Sequence, residues 1–145
     1  MKNIVVQGIG YVGAALSVAI ASRRDKKNKS LFNVMSIDKK NEIGLERIKS
    51  INSGIFPFKI KDKKLQQELK KSILHKNLIA SNSLSFYKSA FVVIICINCD
   101  LIEQNNQINI NFEAFEKSIE EVAENIKANT LIIVESTTPP GTCEK

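Results

Sequence analysis

Apolar residues along this chain alternate between short continuous runs and longer stretches with helical spacing. A short apolar run bounded by turn residues is typical of a strand covered on both faces of a parallel sheet. The runs predict strands at residues 2–7, 34–37, 78–80, 91–97 and 131–134. The last two strands are expected to be buried.

Helical spacing separates these strands. Residues 11–22 form an apolar stretch, and Asp62 can cap a helix that ends near residue 74. Asn111 can cap a further helix, and residues 100–110 predict a polar loop between it and the fourth strand. The remaining helical elements are predicted at residues 41–51 and 83–88. This alternation predicts an α/β fold, a doubly wound parallel (Rossmann) sheet in the order 3-2-1-4-5, as a single domain over residues 1–145.

The first strand runs directly into Gly-Ile-Gly-Tyr-Val-Gly at residues 8–13, which opens the first helix. Gly8 allows a sharp turn off the strand, and Gly10, which has no Cβ, lets the backbone approach a pyrophosphate. Gly13 lets the helix pack tightly on the strand. The unpaired N–H groups of the helix N-terminus can then bind the pyrophosphate. This order of elements predicts a dinucleotide site.

The second predicted strand ends on Asp38. A carboxylate there can accept hydrogen bonds from the adenosine ribose hydroxyls and repels a 2′-phosphate, so the expected cofactor is NAD. Lys39 and Lys40 weaken that preference slightly, because a neighbouring cation favours a 2′-phosphate. The interval from the glycine turn to Asp38 is longer than usual. We place the excess in a basic surface loop at residues 23–30.

This N-terminal segment has two other interpretations. It could be a tight turn between buried elements with no ligand. It also looks superficially like a secretory signal, with Lys2, an apolar stretch and Ala-Ile-Ala at residues 19–21. Gln7 and the three glycines interrupt that apolar stretch, and a signal peptide leaves the strand ending in Asp38 without explanation. The dinucleotide site is therefore the favoured interpretation.

Composition narrows the class of protein. The chain has 145 residues, of which 43% are hydrophobic and 25% charged, as in one compact domain with a core. No apolar run is long enough for a membrane span. Three cysteines without a credible export signal predict free thiols in a reducing compartment, the cytoplasm. The net charge of +6 lies in lysine-rich runs without interleaved aromatic residues, so no nucleic-acid partner is expected. A basic surface suits a polyanionic small ligand such as a nucleotide sugar.

Cysteine and histidine side chains are candidates for metal or redox chemistry. Cys96 and Cys99 form a C-x-x-C pair, but a zinc site needs two more ligands, and a redox pair normally opens a helix. We therefore expect no metal site and interpret the pair as a buried strand cysteine followed by a rim cysteine. His75, the one histidine, is predicted at the end of a lysine-rich helix, as a dipole partner or a surface residue.

Three motifs occur in order along the chain: the glycine turn, Ile-Asn-Ser-Gly at residues 51–54 with Pro57, and Ser-Thr-Thr-Pro-Pro-Gly-Thr at residues 136–142. With them the chain resembles, throughout its length, the N-terminal domain of the UDP-glucose/GDP-mannose dehydrogenase family. The resemblance implies a two-domain NAD enzyme, a nucleotide-sugar 6-dehydrogenase. Such enzymes oxidise the sugar C6 alcohol twice, through a cysteine-bound thiohemiacetal and thioester, to a uronic acid for polysaccharide precursors.

The resemblance also implies roles for particular residues. Those expected to contact the cofactor are Gly8, Gly10, Tyr11, Val12, Gly13, Asp38, Cys99 and Thr137. Thr137 would lie by the nicotinamide and the reacting sugar as an auxiliary catalytic residue, and Ser136 and Thr142 would shape its loop. Cys99 and Asp100 stand where the family usually has Thr and Pro, and Asn109 where it has Asp.

The family's nucleophilic Cys, its Lys and its catalytic Glu lie beyond the Pro-Pro-Gly-Thr loop. The resemblance therefore implies that residues 1–145 are the NAD-binding domain, that the substrate domains are absent, and that this fragment does not run the oxidation. Cys143 does not match the family's nucleophile motif. A homodimer would belong to the full-length protein.

The sequence leaves two alternative functions. A non-catalytic nucleotide-sensing or interaction module would retain the fold without the chemistry. A short-chain reductase is disfavoured, because neither Tyr11 nor Tyr87 is followed by Lys in a Tyr-x-x-x-Lys motif.

Overall fold

The computed structural model describes residues 1–104 and 107–144, and at positions 100–109 it describes no side chains. The strands are β1 (Lys2–Gln7), β2 (Phe32–Ile37), β3 (Leu78–Ser81), β4 (Val92–Ile95), β5 (Asp100–Gln104), β6 (Gln107–Asn111) and β7 (Leu131–Val134). The α-helices are α1 (Tyr11–Ala21), α2 (Glu42–Asn52), α3 (Lys63–Leu74) and α4 (Glu113–Asn125). Two 3-10 helices span Leu84–Ser89 and Thr142–Glu144.

Five parallel strands form the main sheet in the order β3-β2-β1-β4-β7. The chain reaches one edge at β3 and returns past β1 to β4, so the strand order reverses between β1 and β4. This arrangement confirms the doubly wound fold and the predicted strand order. The strand ends are level, because Gln7 pairs with both Ile37 and Ile95, Ile37 with Ser81, and Ile95 with Val134. Ligands bind at this rim in doubly wound sheets.

Alternating side chains of the sheet supply two cores. Ile4 and Val6 of β1 face a cluster that includes Val18 of α1, Ile51 of α2 and Leu69 of α3. Val5 faces the other side, in a cluster with Tyr87 and with Phe115 and Val122 of α4. Because successive strand residues point to opposite faces, one apolar run fills both layers.

The helices are fastened to the sheet by buried or partly buried polar side chains. In α1, Ser17 donates its hydroxyl to the Gly13 carbonyl at 2.7 Å and accepts from Ser36 of β2 at 2.8 Å. At the end of α2, the Asn52 amide donates to the Ala80 carbonyl and accepts from the Ala80 N–H, at 2.9 and 2.8 Å. Asn52 thereby pairs with the outer side of edge strand β3, which explains why an Asn follows the helical isoleucines.

Helix α3 begins as predicted. The carboxylate of Asp62 accepts hydrogen bonds from the N–H groups of Lys64 and Leu65, as an N-cap does. The basic loop at residues 23–30 lies at the opposite end of the sheet from the rim, between the end of α1 and the start of β2. Asp25 accepts from the N–H groups of Lys27 and Lys29, so this loop is ordered.

Three expectations about elements were wrong. The segment at residues 100–110, expected to be a polar loop, forms the antiparallel pair β5–β6 over its described part. The helix after it is capped at Phe112, although Asn111 accepts a hydrogen bond from the Glu113 N–H. The strand at 131–134 is exposed: Leu131, Ile132 and Ile133 have exposed fractions of 56%, 41% and 39%. Its position at the sheet edge leaves its outer side without a strand neighbour among the described residues.

Within residues 1–104 and 107–144, none of the helices combines the length and the apolar character needed to cross a membrane.

Candidate functional site

The glycine turn lies where the ends of β1, β2 and β4 meet. Gly8 has a φ of +97°, and its N–H donates to the Ile37 carbonyl at 2.8 Å. A Cβ at Gly8 would lie 2.5 Å from the Cys96 carbonyl oxygen. Both the backbone angle and the neighbouring strand therefore require glycine here, which is the sharp turn that the sequence predicted.

The other two glycines differ in what lies around them. A Cβ at Gly13 would lie 1.9 Å from the Gly8 carbonyl oxygen, so α1 presses directly on the turn. A Cβ at Gly10 would have no described atom within 4 Å, so this side of the turn is open. No described side chain caps α1 at Gly10. The first-turn N–H groups of α1 thus face open space beside a bare backbone, as an anionic pyrophosphate needs.

Asp38 lies beside this turn, at the end of β2. Its Oδ2 accepts a hydrogen bond from the Ile9 N–H at 3.3 Å, and its Oδ1 accepts from the Lys39 N–H at 2.8 Å. The turn that would hold the pyrophosphate therefore fixes the carboxylate that would hold the ribose. The structure brings together Gly8, Gly10, Gly13 and Asp38, as the sequence predicted.

Arg47 of α2 is a site residue that the sequence analysis missed. Its Nη1 lies 3.5 Å from Asp38 Oδ2, and the Arg47 and Asp38 side chains have exposed fractions of 32% and 11%. The guanidinium also lies over the Phe58 ring, 5.3 Å from the ring centroid. The available signal was its place in the helix that follows Asp38, but the pairing depends on how that helix docks.

An aromatic cluster, formed by Tyr11, Phe56 and Phe58, covers the same side of the site. Their ring centroids lie 5.8 to 6.3 Å apart, in edge-on or tilted geometry. Tyr11 is largely exposed and stands at the first position of α1. The cluster joins the start of α1 to the apolar loop after α2, and one of its rings, Phe58, packs against the Arg47 guanidinium.

A cavity of about 390 Å³ opens on the other side of Asp38. It is lined by Gln7, Ile37, Asp38, Lys39, Lys40, Asn41, Asn82, Leu84, Lys117 and Glu121. One of these lining residues, Gln7, is buried and accepts a hydrogen bond from the Tyr87 hydroxyl. Burial of Tyr87, and secondarily the charge of Glu121, raise the pKa of that phenol far above its usual value, so it stays a donor. The cavity can take the adenosine end of a dinucleotide.

A larger cavity, of about 580 Å³, lies between α4 and the second 3-10 helix. Phe112, Phe115, Ile119 and Val134 line it together with Thr142 and Cys143. It contains neither the glycine turn nor Asp38, and its two charged lining residues, Glu116 and Glu120, are carboxylates that would repel a pyrophosphate. The smaller cavity, together with the glycine turn, is therefore the better candidate for the dinucleotide site.

Cys96 and Cys99 pack on different sides of the sheet. Cys96 contacts the core under α1, and Cys99 contacts the core under α4. Burial, with a smaller contribution from the charge of Glu135, raises the pKa of the Cys96 thiol to about 11. A thiol with so high a pKa is a poor nucleophile at neutral pH. In the described part of the chain, no group of three or more Cys, His, Asp and Glu side chains could hold a metal ion.

The loop after β7 is tied to the end of β4. The Ser136 hydroxyl accepts from the Ile97 N–H at 3.0 Å and donates to the Ile95 carbonyl at 3.3 Å. The Thr142 hydroxyl donates to the Pro139 carbonyl at 2.8 Å. These contacts leave Thr137 exposed at the rim, on the side of β4 away from Asp38. The side chain of Asp100, and that of Asn109, lie outside the described residues.

The fold and this rim define a dinucleotide-binding domain. A model of the UDP-glucose/GDP-mannose dehydrogenase family, NAD-binding domain, matches residues 2–145. The chain belongs to this family, and its cofactor is NAD.

The chain is similar to individual nucleotide-sugar dehydrogenases in sequence and in structure. UDP-N-acetyl-D-mannosamine dehydrogenase of Pyrococcus horikoshii is 31% identical over 143 residues, which cover 99% of this chain and 30% of that protein. A solved structure of UDP-D-ManNAc dehydrogenase from the same organism matches with a TM-score of 0.77 at 30% identity, over 99% of this chain and 30% of its own. An NDP-N-acetyl-D-galactosaminuronic acid dehydrogenase from Methanosarcina mazei Go1 matches with a TM-score of 0.85 at 24% identity, over 99% of this chain and 29% of that one, and shows the shared fold alone. The chain spans about 30% of the length of these relatives.

Proposed function

We propose that this chain is the NAD-binding part of a dehydrogenase that oxidises the C6 alcohol of a nucleotide sugar to a carboxylate. UDP-N-acetylmannosamine is the first substrate to test, because relatives at about 30% identity have it in their names. UDP-glucose and GDP-mannose follow from the family description. The observation that supports the proposal most is the open, uncapped start of α1 at Gly10 next to the anchored carboxylate of Asp38.

In this proposal each part of the rim has one task. The N–H groups of the first turn of α1, at Tyr11, Val12 and Gly13, bind the pyrophosphate. Asp38 accepts hydrogen bonds from the adenosine ribose. The nicotinamide then extends toward β4 and β7, where Cys99 and Thr137 lie on loops at the rim. A hydroxyl at Thr137 can position a water or the oxyanion of the reacting sugar.

Binding tests the cofactor site directly. We expect calorimetry to show NAD binding to the purified chain, and Asp38→Ala to weaken it about tenfold or more through lost charge-assisted hydrogen bonds. Asp25→Ala is the matched control, because Asp25 is an aspartate at the opposite end of the sheet. No heat with NAD up to millimolar concentration, or equal losses in both variants, would contradict this placement.

The oxidation itself needs more than this rim. We propose that it also requires the nucleophilic cysteine, lysine and glutamate that the family carries beyond its Pro-Pro-Gly-Thr loop. The purified chain should therefore produce no NADH from NAD with UDP-N-acetylmannosamine, UDP-glucose or GDP-mannose. Clear NADH production would show that the nucleophile lies within this chain, and Cys143→Ser would then be the first variant to test.

A further inference from the structure

We propose that the dinucleotide site of this chain accepts NADP as well as NAD, through cations that surround the position of the adenosine 2′-phosphate. The inference concerns cofactor choice at the rim and does not depend on the proposed sugar chemistry. It rests on three observations: the state of Asp38, the position of Lys39 and Lys40, and the charge of the cavity wall.

The carboxylate that should repel a 2′-phosphate is already compensated. Asp38 is almost buried, accepts two backbone N–H groups, and has the Arg47 guanidinium 3.5 Å from its Oδ2. Two opposite charges so close present little net field to a third charge beyond them. Arg47 itself has donors left, since a guanidinium carries five N–H groups in a fork that matches phosphate oxygens.

The two lysines after Asp38 are held at the mouth of the cavity. The N–H of Lys39 is fixed on Asp38, and Gly44 of α2 lies against the Lys39 carbonyl, where a Cβ would come within 2.1 Å. Asn41 then caps α2 by accepting from the Gly44 N–H at 2.8 Å. The backbone of this segment is thus set by local contacts, while the side chains of Lys39 and Lys40 are exposed and line the cavity.

The cavity wall as a whole is cationic. Three lysines (Lys39, Lys40 and Lys117) and two carboxylates (Asp38 and Glu121) line it. Arg47, which does not line the cavity, pairs with Asp38 and so neutralises one of the two carboxylates. Among residues 1–99 and 110–144, whose side chains the structure describes, these three lysines make no ion pair within 4.0 Å. The three lysines are therefore available to bind the 2′-phosphate of NADP. They stabilise bound NAD less, because its ribose carries an uncharged 2′-hydroxyl at that position.

The test compares NADH and NADPH on the same protein by the fluorescence of the reduced cofactor. We expect both to bind the purified chain, with dissociation constants within about tenfold of each other. Because two lysine contacts to phosphate are lost, Lys39→Ala/Lys40→Ala should raise the NADPH constant at least about tenfold more than the NADH constant. Added KCl should weaken NADPH binding more steeply than NADH binding.

Lys26→Ala/Lys27→Ala is the matched control, since it removes the same two charges at the far end of the sheet and should leave the ratio of the two constants unchanged. Arg47→Ala should also move the ratio against NADPH, and Arg47→Lys, which keeps the charge but not the guanidinium fork, should restore only part of it. NADH binding without NADPH binding would overturn this inference and leave the NAD site intact. Failure of both cofactors to bind would overturn the inference and the dinucleotide site together. An equal change in the ratio of the two constants in both double-lysine variants would mean that net charge alone sets the ratio, and it would also overturn the inference.

Discussion

Substituting alanine at two glycines of one turn should separate binding from stability. Gly10→Ala places a methyl group in open space, whereas Gly13→Ala places it 1.9 Å from the Gly8 carbonyl oxygen. Ordinary van der Waals contact begins at 3.4 Å, so the second methyl group is about 1.5 Å too close. The obstacle is backbone that is itself fixed by the Gly8 hydrogen bond to Ile37. The two variants have the same change in composition and opposite expected effects.

The backbone angles and contacts of the two glycines set the expected changes in unfolding free energy. Gly10 has φ and ψ of −71° and −176°, which alanine adopts freely. A poorer N-cap and a less flexible unfolded chain nearly cancel, so the unfolding free energy of Gly10→Ala should stay within about 1 kcal/mol of the parent. For Gly13→Ala, alanine's better helix propensity would add about 0.8–1 kcal/mol without the overlap. Overpacking should reverse that sign and lower the unfolding free energy by at least about 2 kcal/mol.

The variant that keeps its stability, Gly10→Ala, is the one expected to lose NAD affinity. A methyl group on Gly10 occupies the space that a pyrophosphate would take, and each charge-assisted hydrogen bond it lengthens is worth about 1.5–3 kcal/mol. We therefore expect Gly10→Ala to raise the NAD dissociation constant at least about tenfold. The measurements are urea unfolding followed by far-ultraviolet circular dichroism, and calorimetric titration with NAD.

Two results would refute this reasoning. A Gly13→Ala variant as stable as the parent would mean that α1 does not press on the turn as the structure shows. A Gly10→Ala variant that unfolds normally and still binds NAD with parental affinity would mean that the pyrophosphate does not pass over this glycine.

Three further predictions concern the residues around the site. Tyr87→Phe leaves the buried Gln7 carbonyl without its donor, so urea unfolding should show a loss of about 1–3 kcal/mol. Because burial raises the Tyr87 pKa above its unfolded value of 10.0, the parent should lose stability as pH rises above about 10, and an equally steep loss in Tyr87→Phe would contradict this origin. Iodoacetamide at pH 8, followed by mass spectrometry, should modify exposed Cys143 well before Cys96, which is half-buried and has a pKa of about 11; the reverse order would contradict the raised pKa of Cys96. Asn52→Ala should lower the unfolding free energy by about 1–3 kcal/mol, since it frees both backbone groups of Ala80, and an unchanged urea midpoint would show that water replaces Asn52 there.

Local steric rules explain why so much of the fold could be predicted from the residues alone. The apolar runs placed the strands, because a parallel strand covered on both faces has few polar positions. The glycine turn and Asp38 identified the rim, since a positive φ and a close helix contact both require glycine. The same logic was too general at the edge of the sheet, where an apolar run at 131–134 proved to be an exposed strand. A run of apolar residues predicts a strand, but it does not predict whether that strand lies in the centre of the sheet or at its edge.

The sequence by itself determined the order of the five strands of the main sheet and of the helices between them, the turn that can receive a pyrophosphate, and the acid that can receive a ribose, because each depends on a few adjacent residues. Only the tertiary structure decided that Arg47 lies against Asp38, and that Lys117 and Glu121 of α4 share a cavity with Lys39 and Lys40. These partners come from helices on opposite faces of the sheet, and their distances are set by how each helix packs on the two cores. The charge that a dinucleotide would meet at this rim therefore depends on helix packing as well as on the local run of Asp38, Lys39 and Lys40.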